Sequence, residues 1–245
     1  MITIAVFAYG TAAYVLFLAA FLYLVGFLAN LGVPKSIDTG MGGETATAFL
    51  VNLGLLSVFA LQHSVMARPS FKRWWTRVVP VAIERSTYVL LTNVVLGLLF
   101  WQWRPMTAVI WDVSSGTSAR ILEALFCAGW IVVLLGTFMT NHFELFGLRQ
   151  VYLYLVGREH TPVTFTARGF YRYVRHPLMA GFLLAFWATP RMTLGHLVFS
   201  MVMTGYVLLA IRFEERDLVE SLGEQYVDYR ESTPALLPRG RRAGR

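Results

Sequence analysis

Residues 168–177 combine basic, aromatic and histidine side chains in the order RGFYRYVRHP. Proline suits the first turn of a helix, so Pro177 predicts a helix start. His176 just before it would lie where free backbone N–H groups can bind an anion. Gly169 allows a ligand or another backbone to approach closely. This stretch is therefore either part of a binding site or a basic segment beside a membrane with interfacial tyrosines.

Two adjacent carboxylates, Glu214 and Glu215, follow directly after a long apolar run. Burying carboxylates at a membrane boundary is costly unless each of them is paired. The two glutamates therefore either form ion pairs with Arg212 or Arg216 in solvent, or one of them binds a cationic group of a ligand.

Residues 141–150, NHFELFGLRQ, place many hydrogen-bond donors and acceptors immediately after another apolar run. Residues 62–64, Gln-His-Ser, end a further apolar run in a similar way. A histidine in such a position is often only part of a solvated loop. Polar side chains inside a membrane span are nevertheless candidates for function by default.

The composition of the chain predicts an integral membrane protein. Apolar residues make up 56% of the 245 residues, charged residues make up 14%, and the mean hydropathy is +0.56. A soluble domain usually carries about 25% charged residues. The aromatic content of 15%, with seven tryptophans, is typical of proteins with aromatic belts at the membrane interfaces.

An apolar run of about 20 residues can cross the hydrocarbon core of a bilayer as a helix. Candidate spans lie at residues 2–31, 45–67, 86–103, 121–140 and 192–211, and a shorter apolar run lies at 178–189. A helix over the shorter run would reach only about 18 Å, against a hydrocarbon core of roughly 30 Å. We expect it to form a tight helical hairpin with the run that follows, beginning and ending near the cytoplasmic face. A short helix at membrane depth persists only where protein or a cavity covers its free backbone groups, which is a first indication of a site.

The predicted fold is therefore all-α. It is a polytopic integral membrane protein with about five spans, the short hairpin segment and a cytoplasmic C-terminal helix. Residues 213–230 carry apolar side chains at helical spacing with charges between them. They either continue the last span into the cytoplasm or form a second helix on the surface.

The distribution of basic residues predicts the orientation of the chain. Residues 68–85, residues 141–177 and the tail after residue 211 are rich in arginine, whereas residues 32–44 and 104–119 hold one basic residue each. Loops rich in basic residues face the cytoplasm, so both termini and the polar groups described above are expected there. The net charge of +7 is explained more simply by anionic lipid than by nucleic acid, and neither nucleic acid nor an obligatory protein partner is predicted.

Several kinds of site are excluded by what the sequence lacks. Cys127 is the one cysteine, so neither an intrachain disulfide nor a cysteine-based metal site can form. The histidines lack zinc-binding spacing, and no glycine-rich dinucleotide loop or serine-hydrolase motif occurs. No metal site is predicted.

The order of the motifs resembles the isoprenylcysteine carboxyl methyltransferase family over roughly residues 120–235. The motifs that carry this resemblance are Arg175-His176-Pro177, Gly181, Glu214-Glu215, Leu218, Gly223, Tyr226 and Tyr229. Residues 60–68, 141–150 and 186–190 are similar to a narrower bacterial branch that methylates small thiols, which extends the resemblance over nearly the whole chain. One departure is Met179, where many members of the superfamily have tyrosine.

The resemblance implies an enzyme of the bacterial cell membrane that takes a methyl group from S-adenosyl-L-methionine in a cytoplasmic pocket. The narrower branch implies methanethiol as the substrate, with dimethyl sulfide and S-adenosylhomocysteine as products. We expect residues 1–118 to form N-terminal transmembrane helices and residues 119–245 to form the methyltransferase core with the cofactor pocket, within one integrated domain.

Other functions stay open at this point. Within the same superfamily, the substrate could be a lipid, a quinone or an isoprenylcysteine carboxylate. Outside it, the chain could be a membrane haem or quinone protein with His63, His142 and His176 as axial ligands, or a non-catalytic scaffold.

The resemblance also implies roles for individual residues. Those expected to bind the cofactor are Phe165, Thr166, Gly169, Tyr171, Arg175, His176, Pro177, Gly181, Glu214, Glu215, Tyr226 and Tyr229. Those expected to line the substrate pocket are His63, Asn141, His142 and Gln150.

Methyl transfer to a thiol needs the thiolate, and an alkyl thiol has a pKa at or above the value of about 8.5 for cysteine. The enzyme must therefore supply a base or lower that pKa. His142 or His176 could take the proton. Arg149 or Arg175 could stabilise the thiolate electrostatically.

Overall fold

The protein is an all-α bundle with one small two-stranded sheet, as seen in a computed structural model that describes residues 1–113, 115–161 and 166–238. The helices are α1 (Ile2–Ala29), α2 (Thr45–Ala67), α3 (Pro69–Trp75), α4 (Val81–Gln102), α5 (Gly116–Met139), α6 (His142–Leu145), α7 (Leu148–Leu155), α8 (Pro177–Trp187), α9 (Leu194–Leu222) and α10 (Glu224–Ser232). The strands are β1 (Val109–Asp112) and β2 (Arg191–Thr193). A single 3-10 turn covers Gly169–Arg172.

Among the described residues, five helices are long and apolar enough to cross a membrane, namely α1, α2, α4, α5 and α9. This confirms the prediction of a polytopic all-α membrane protein with about five spans. The boundaries of α2 are those predicted from the sequence. Helix α4 begins at Val81, before the predicted start at residue 86, because the helix continues through Glu84 and Arg85 ahead of its apolar part.

Helix α8 is short, with 11 residues, and it packs mainly against α5. Two glycines allow this close approach: a Cβ on Gly181 would lie 2.7 Å from the carbonyl oxygen of Gly129, and one on Gly129 would lie 2.7 Å from the backbone nitrogen of Ala185. The backbone of α8 is therefore covered by a neighbouring helix, which is the condition for a short helix at membrane depth.

The sheet was not anticipated from the sequence. Strands β1 and β2 are antiparallel, with Val109 opposite Thr193 and Asp112 opposite Arg191. They join the connection between α4 and α5 to the connection between α8 and α9. The same end of the bundle is closed by the hydroxyl of Thr193, which donates to Asp38 at 2.6 Å. We call this the sheet end and the opposite end, where α8 begins and α9 finishes, the site end.

Helix α9 is 29 residues long and runs beyond the apolar segment to Leu222. Gly223, with φ of 59°, separates it from α10. The sequence left two alternatives open for residues 213–230, and each holds for one part. The first part continues the last span in α9, and the second part forms the separate helix α10. After α10 the chain returns to the start of α8, where the backbone N–H groups of Arg175 and His176 donate to the carbonyl oxygens of Pro234 and Ala235 at 2.9 and 3.0 Å.

The long helices pack in two groups. One consists of α1, α2 and α4, the other of α5 and α8, and α9 contacts both α2 and α8. In the described part of the chain, no extensive backbone packing joins α5 to α1 or α4. Side chains of α1 and α5 fill the space between the two groups, for example Phe21 edge-on to Trp130 with ring centroids 5.4 Å apart.

Candidate functional site

His176, Arg175 and Glu215 form a compact charged cluster at the site end. His176 Nε2 lies 3.0 Å from Glu215 Oε1, and Arg175 Nε donates to the same oxygen at 2.7 Å. Arg175 also donates to the carbonyl oxygens of Arg230 and Thr233. The side chains of the three cluster residues are 4%, 11% and 15% exposed, respectively. The cluster therefore joins the first residues of α8 to the end of α9 and to the segment that follows α10.

Glu214 is in a different position from its neighbour. Its side chain is 47% exposed, and Oε2 lies 3.7 Å from His176 Nδ1. Because Glu215 is already held by two cationic or hydrogen-bonding side chains, Glu214 is the more accessible carboxylate of the pair. It is the one with room to accept a hydrogen bond from a ligand.

Tyrosines of α10 form one wall of this cluster. Tyr226 is 1% exposed, and its ring lies 5.8 Å from that of Tyr229. The Tyr229 hydroxyl donates to the carbonyl oxygen of Tyr171, which ties α10 to the 3-10 turn. Burial raises the pKa of each of these three phenols to about 12. They therefore stay neutral and keep their hydrogen at physiological pH.

The segment before α8 approaches the end of α5. Gly169 has φ of 53°, and a Cβ there would lie 2.6 Å from the sulfur of Met139. Pro177 is buried at the first position of α8, as the sequence predicts. Thr166 is exposed in the segment before the turn, whereas Phe165 lies outside the described residues. Gly181, expected near the cofactor, is the residue that faces Gly129 at the crossing of α5 and α8.

His142 belongs to a second cluster. It is 2% exposed, and both ring nitrogens are engaged by hydroxyl groups: Nε2 lies 2.8 Å from Tyr14 Oη and Nδ1 lies 2.7 Å from Thr137 Oγ1. Burial lowers the pKa of His142, so the ring is neutral at pH 7. To act as a base it would have to receive a proton through one of these two hydroxyl groups or exchange one of them for the substrate.

Arg149 and Gln150 are organised around one carboxylate. Glu144 accepts from Arg149 Nη1 at 2.7 Å and from Gln150 Nε2 at 2.9 Å, and His160 Nε2 lies 2.7 Å away. Glu144, Gln150 and His160 line a cavity of about 710 Å³ between α1, the turn before α4 and α7. Asn141, with φ of 83°, caps α6 by accepting from the backbone N–H of Glu144. Arg149 is therefore neutralised within the protein.

His63 lies in a third cluster between α2, α4 and α9. The Tyr88 hydroxyl is 3.0 Å from its ring, and Phe59 stacks on it with centroids 5.4 Å apart. Its neighbour Ser64 donates to the hydroxyl of Tyr206 at 3.5 Å. The ring of His63 thus faces tyrosines on two other helices.

The structure brings the two halves of the predicted cofactor motif together and keeps the histidines in separate clusters. His176 and His142 lie on different sides of the last turn of α5, where Gly136 faces Leu178 of α8 and Thr137 faces His142. Within the described ranges, no group of three or more histidine, cysteine or acidic side chains is arranged to hold a metal ion. Each of the three histidines proposed as haem ligands has protein partners of its own.

Some contact residues were missed by the sequence analysis. Tyr14 and Thr137, which hold His142, are single hydroxyl-bearing residues within apolar spans, and only their position at membrane depth distinguishes them. Arg68 pairs with Asp217 at 2.9 Å and fastens the end of α2 to α9. Its position in a basic loop gave no sign of this partner, which lies 149 residues away.

The fold and the site together define a polytopic helical membrane protein whose polar clusters gather towards one end of the bundle. A family model described as NnrU protein matches residues 51–232. Methanethiol S-methyltransferase of Mycobacterium tuberculosis is 58% identical over 94% of this chain and 94% of its own length. The proteins of the same name from Crocosphaera subtropica and from a Pseudomonas species are 51% and 48% identical, over 95% and 94% of this chain and 91% and 89% of their own lengths. The chain therefore belongs to the methanethiol S-methyltransferase family, which confirms the narrower resemblance drawn from the sequence. No solved structure matches it.

Proposed function

We propose that this protein transfers the methyl group of S-adenosyl-L-methionine to methanethiol, giving dimethyl sulfide and S-adenosylhomocysteine. The names of relatives at 48–58% identity over most of the chain support the reaction. The structural observation that carries the proposal is the contact between His176 and Glu215, because it joins the two motifs expected to hold the cofactor. The proposal is argued from this site and not from the fold, since one fold can serve many functions.

The residues at the site end fit the chemistry of such a cofactor. S-adenosylmethionine carries a sulfonium, an ammonium and a carboxylate group beside an adenosine. Glu214 offers an accessible carboxylate for a cationic group. Tyr229, half-buried beside the buried Tyr226, offers aromatic surface, and the 3-10 turn at Gly169–Arg172 offers backbone close to the end of α5. When bound, the cofactor supplies an electrophilic methyl group.

The protein's own residues have the tasks of binding and orientation. Glu215 neutralises Arg175, and the carbonyl oxygens of Arg230 and Thr233 fix its guanidinium. Held in this way, Arg175 and His176 can orient a ligand carboxylate or hydroxyl group without moving. Preorganised groups of this kind contribute to catalysis because they need not reorganise during the reaction.

An apolar site would favour the reaction itself. A sulfonium and a thiolate are both charged, and both become neutral sulfides on methyl transfer. An enclosure of aliphatic and aromatic side chains that excludes water therefore favours the transition state over the separated ions. His142 as general base and Arg149 as a stabiliser of the thiolate stay predictions, as does the assignment of residues 119–245 as the methyltransferase core.

We further propose that the site end and both termini face the cytoplasm. The site end carries Arg68, the basic turn after α3 and the arginines of residues 168–175, whereas the sheet end carries few basic residues. This orientation gives the site access to a water-soluble cofactor from the cytosol. The apolar thiol and its product can exchange through the bilayer.

The proposal is tested with the full-length protein purified into lipid nanodiscs. Cofactor with an isotope-labelled methyl group is supplied with methanethiol, and labelled dimethyl sulfide is measured in the headspace. The wild-type protein is expected to release labelled dimethyl sulfide, and Arg175→Ala to lose at least about 100-fold in rate. Arg191→Ala is the matched control, because Arg191 is an exposed arginine at the sheet end. A wild-type protein that binds the cofactor but yields no labelled dimethyl sulfide contradicts the proposed substrate, and unchanged turnover in Arg175→Ala contradicts the site.

A further inference from the structure

The hydroxyl groups around His142 determine which of its nitrogens carries the hydrogen. Thr137 donates its single hydroxyl hydrogen to the carbonyl oxygen of Leu134 at 2.6 Å, so its oxygen can only accept from the ring. Nδ1 of His142 is therefore the protonated nitrogen, and Nε2 keeps a lone pair. The Tyr14 hydroxyl, 2.8 Å from Nε2, must then be the donor in that contact. Nε2 of His142 is therefore the basic nitrogen, and it already accepts a hydrogen bond from the hydroxyl of Tyr14.

The ring of His142 is fixed in this state by its neighbours. Phe138 stacks on it with centroids 4.3 Å apart and planes inclined by 6°, and Phe146 meets it edge-on at 4.9 Å. The ring is 2% exposed, and burial lowers its pKa, so the ring is neutral in the resting protein at pH 7. A neutral imidazole whose Nε2 lone pair already accepts the hydrogen of Tyr14 is suited to receive that proton.

The Tyr14–His142 pair lies in the space between α1 and α5, where backbone packing is sparse. Trp130, two turns before Thr137 on α5, is 6% exposed, and its indole N–H has no hydrogen-bond partner among the described residues. The side that faces the bilayer is covered by Phe138 and Phe143, which are 54% and 48% exposed. This space is thus aromatic, contains an unsatisfied donor and borders the lipid.

We propose that Tyr14 is the residue that takes the proton from the thiol substrate, with His142 as the base behind it. The inference rests on the proposed function, because it needs a thiol as the nucleophile. Tyr14 and His142 would together remove the proton from the thiol, and the thiol would lie between α1 and α5. Small thiols partition into lipid and make favourable contacts with aromatic rings, so the lipid-bordering aromatic space suits them.

The step balances as two proton transfers and one exchange of carbon–sulfur bonds. The thiol S–H bond breaks as a new O–H bond forms on Tyr14, while the hydrogen that Tyr14 held moves to Nε2 of His142. The electron pair left on the thiol sulfur forms the bond to the methyl carbon. The electron pair of the broken carbon–sulfur bond stays on the donor sulfur, which loses its positive charge. The imidazolium then returns its proton to water after the products leave.

Removal of the Tyr14 hydroxyl tests the proposal through the acidity of the thiol. Tyr14→Phe is expected to lower kcat/KM for methanethiol by about 100-fold, the usual contribution of a general base. A larger but more acidic thiol, 2,2,2-trifluoroethanethiol, carries electron-withdrawing fluorines and supplies its own thiolate near neutral pH. The variant should lose far less activity with this substrate, and its cofactor affinity, measured by calorimetry, should stay unchanged.

Tyr23→Phe is the matched control, since Tyr23 lies on the same helix and donates to the carbonyl oxygen of Lys35 near the sheet end. A purely structural Tyr14, one that only fastens α1 to α6, predicts equal losses for both thiols in Tyr14→Phe, and this result would overturn the proposal. So would an unchanged rate with methanethiol. A wild-type protein that methylates neither thiol refutes the proposed function instead.

A second measurement is independent of turnover. Nitrogen-15 NMR of the histidine side chains in the resting protein should show Nδ1 of His142 protonated and Nε2 unprotonated. The opposite tautomer would remove the acceptor for the Tyr14 hydrogen and would overturn the relay.

Discussion

His176 Nε2 lies 3.0 Å from Glu215 Oε1, although 39 residues separate the two in the chain. Arg175 binds the same carboxylate oxygen, so one glutamate near the end of α9 holds both polar residues that precede α8. Glu214, one position earlier, faces outward and has only a longer contact of 3.7 Å with His176. The adjacent glutamates therefore lie in different surroundings, since Glu215 is held within the protein and Glu214 is the more accessible of the two.

Exchange of each glutamate for glutamine should separate their roles. Glu215→Gln leaves Arg175 without its charge partner, and the loss should destabilise the fold by about 2 kcal/mol, less than for a fully buried pair because some solvent reaches the cluster. Glu214→Gln should leave the midpoint of thermal unfolding nearly unchanged but weaken cofactor binding about tenfold, which corresponds to roughly 1.4 kcal/mol. Thermal unfolding and calorimetric titration of both variants give the comparison.

Glu44→Gln serves as the control for these exchanges, because Glu44 lies exposed before α2 at the other end of the bundle. If Glu214→Gln and Glu215→Gln change stability and cofactor affinity to the same extent, the two carboxylates do not have separate roles.

The contact between α5 and α8 should be sensitive to one methyl group. Gly181→Ala would place its Cβ 2.7 Å from the carbonyl oxygen of Gly129 and 2.9 Å from the backbone nitrogen of Val133. Since neither backbone atom can move by itself, we expect a loss of about 1–3 kcal/mol and a lower midpoint of thermal unfolding. Gly205→Ala in α9 meets no atom within 4 Å and should be neutral or slightly stabilising. Equal stability of the two variants would argue against the close helix contact.

His142 should make the fold less stable in acid. Its pKa in the folded protein is lowered by burial, so below the unfolded value of about 6.5 the unfolded chain binds more protons than the folded one. Stability is therefore complete above that value and falls as the pH drops through it towards the folded pKa. The decrease in the unfolding midpoint between about pH 7.5 and 5.5 should be smaller in His142→Gln than in the wild-type protein. A decrease of the same size in both would show that His142 does not contribute.

The orientation can be measured with single cysteines in a Cys127→Ser background. Glu224→Cys, exposed at the start of α10, should be protected from a membrane-impermeant maleimide in spheroplasts and react in inverted vesicles. Gly42→Cys, in the loop between α1 and α2, should show the reverse pattern, because few basic residues lie at that end. Labelling of Glu224→Cys in intact spheroplasts would place the site on the outer side.

Methanethiol should bind weakly even to an active enzyme. It has two non-hydrogen atoms, and at a ceiling of about 1.5 kcal/mol per atom it gains at most ~3 kcal/mol. This corresponds to a dissociation constant no tighter than several millimolar. Equilibrium binding of methanethiol to the complex with S-adenosylhomocysteine would measure it, and a micromolar constant would indicate that a larger thiol is the true substrate.

The spans could be predicted from the sequence because charges mark their ends. Helix α2 is bounded by Glu44 and Arg68, and its predicted limits agree with the structure. Where charged residues continue in helical conformation, as at the start of α4 and the end of α9, hydropathy alone sets the limit too early. The sheet could not be predicted, because β1 and β2 are short and their pairing depends on contacts about 80 residues apart.

Only part of the candidate site could be predicted from the sequence. The basic and acidic motifs that meet at His176 and Glu215 contain several charged residues beside apolar spans, where unpaired charges are unfavourable. The partners of His142 left no comparable pattern, since Tyr14 and Thr137 are isolated polar residues on two helices that meet only through tertiary packing.

After α10 the chain returns to the start of α8. This return determines where a tag or reporter can be fused on the C-terminal side of the protein. The carbonyl oxygens of Pro234 and Ala235 accept the backbone N–H groups of Arg175 and His176, as one strand would bind another. A deletion that removes these two residues would leave those N–H groups without acceptors and loosen the charged cluster beside them. Affinity tags and fluorescent reporters therefore belong beyond this point or at the N-terminus.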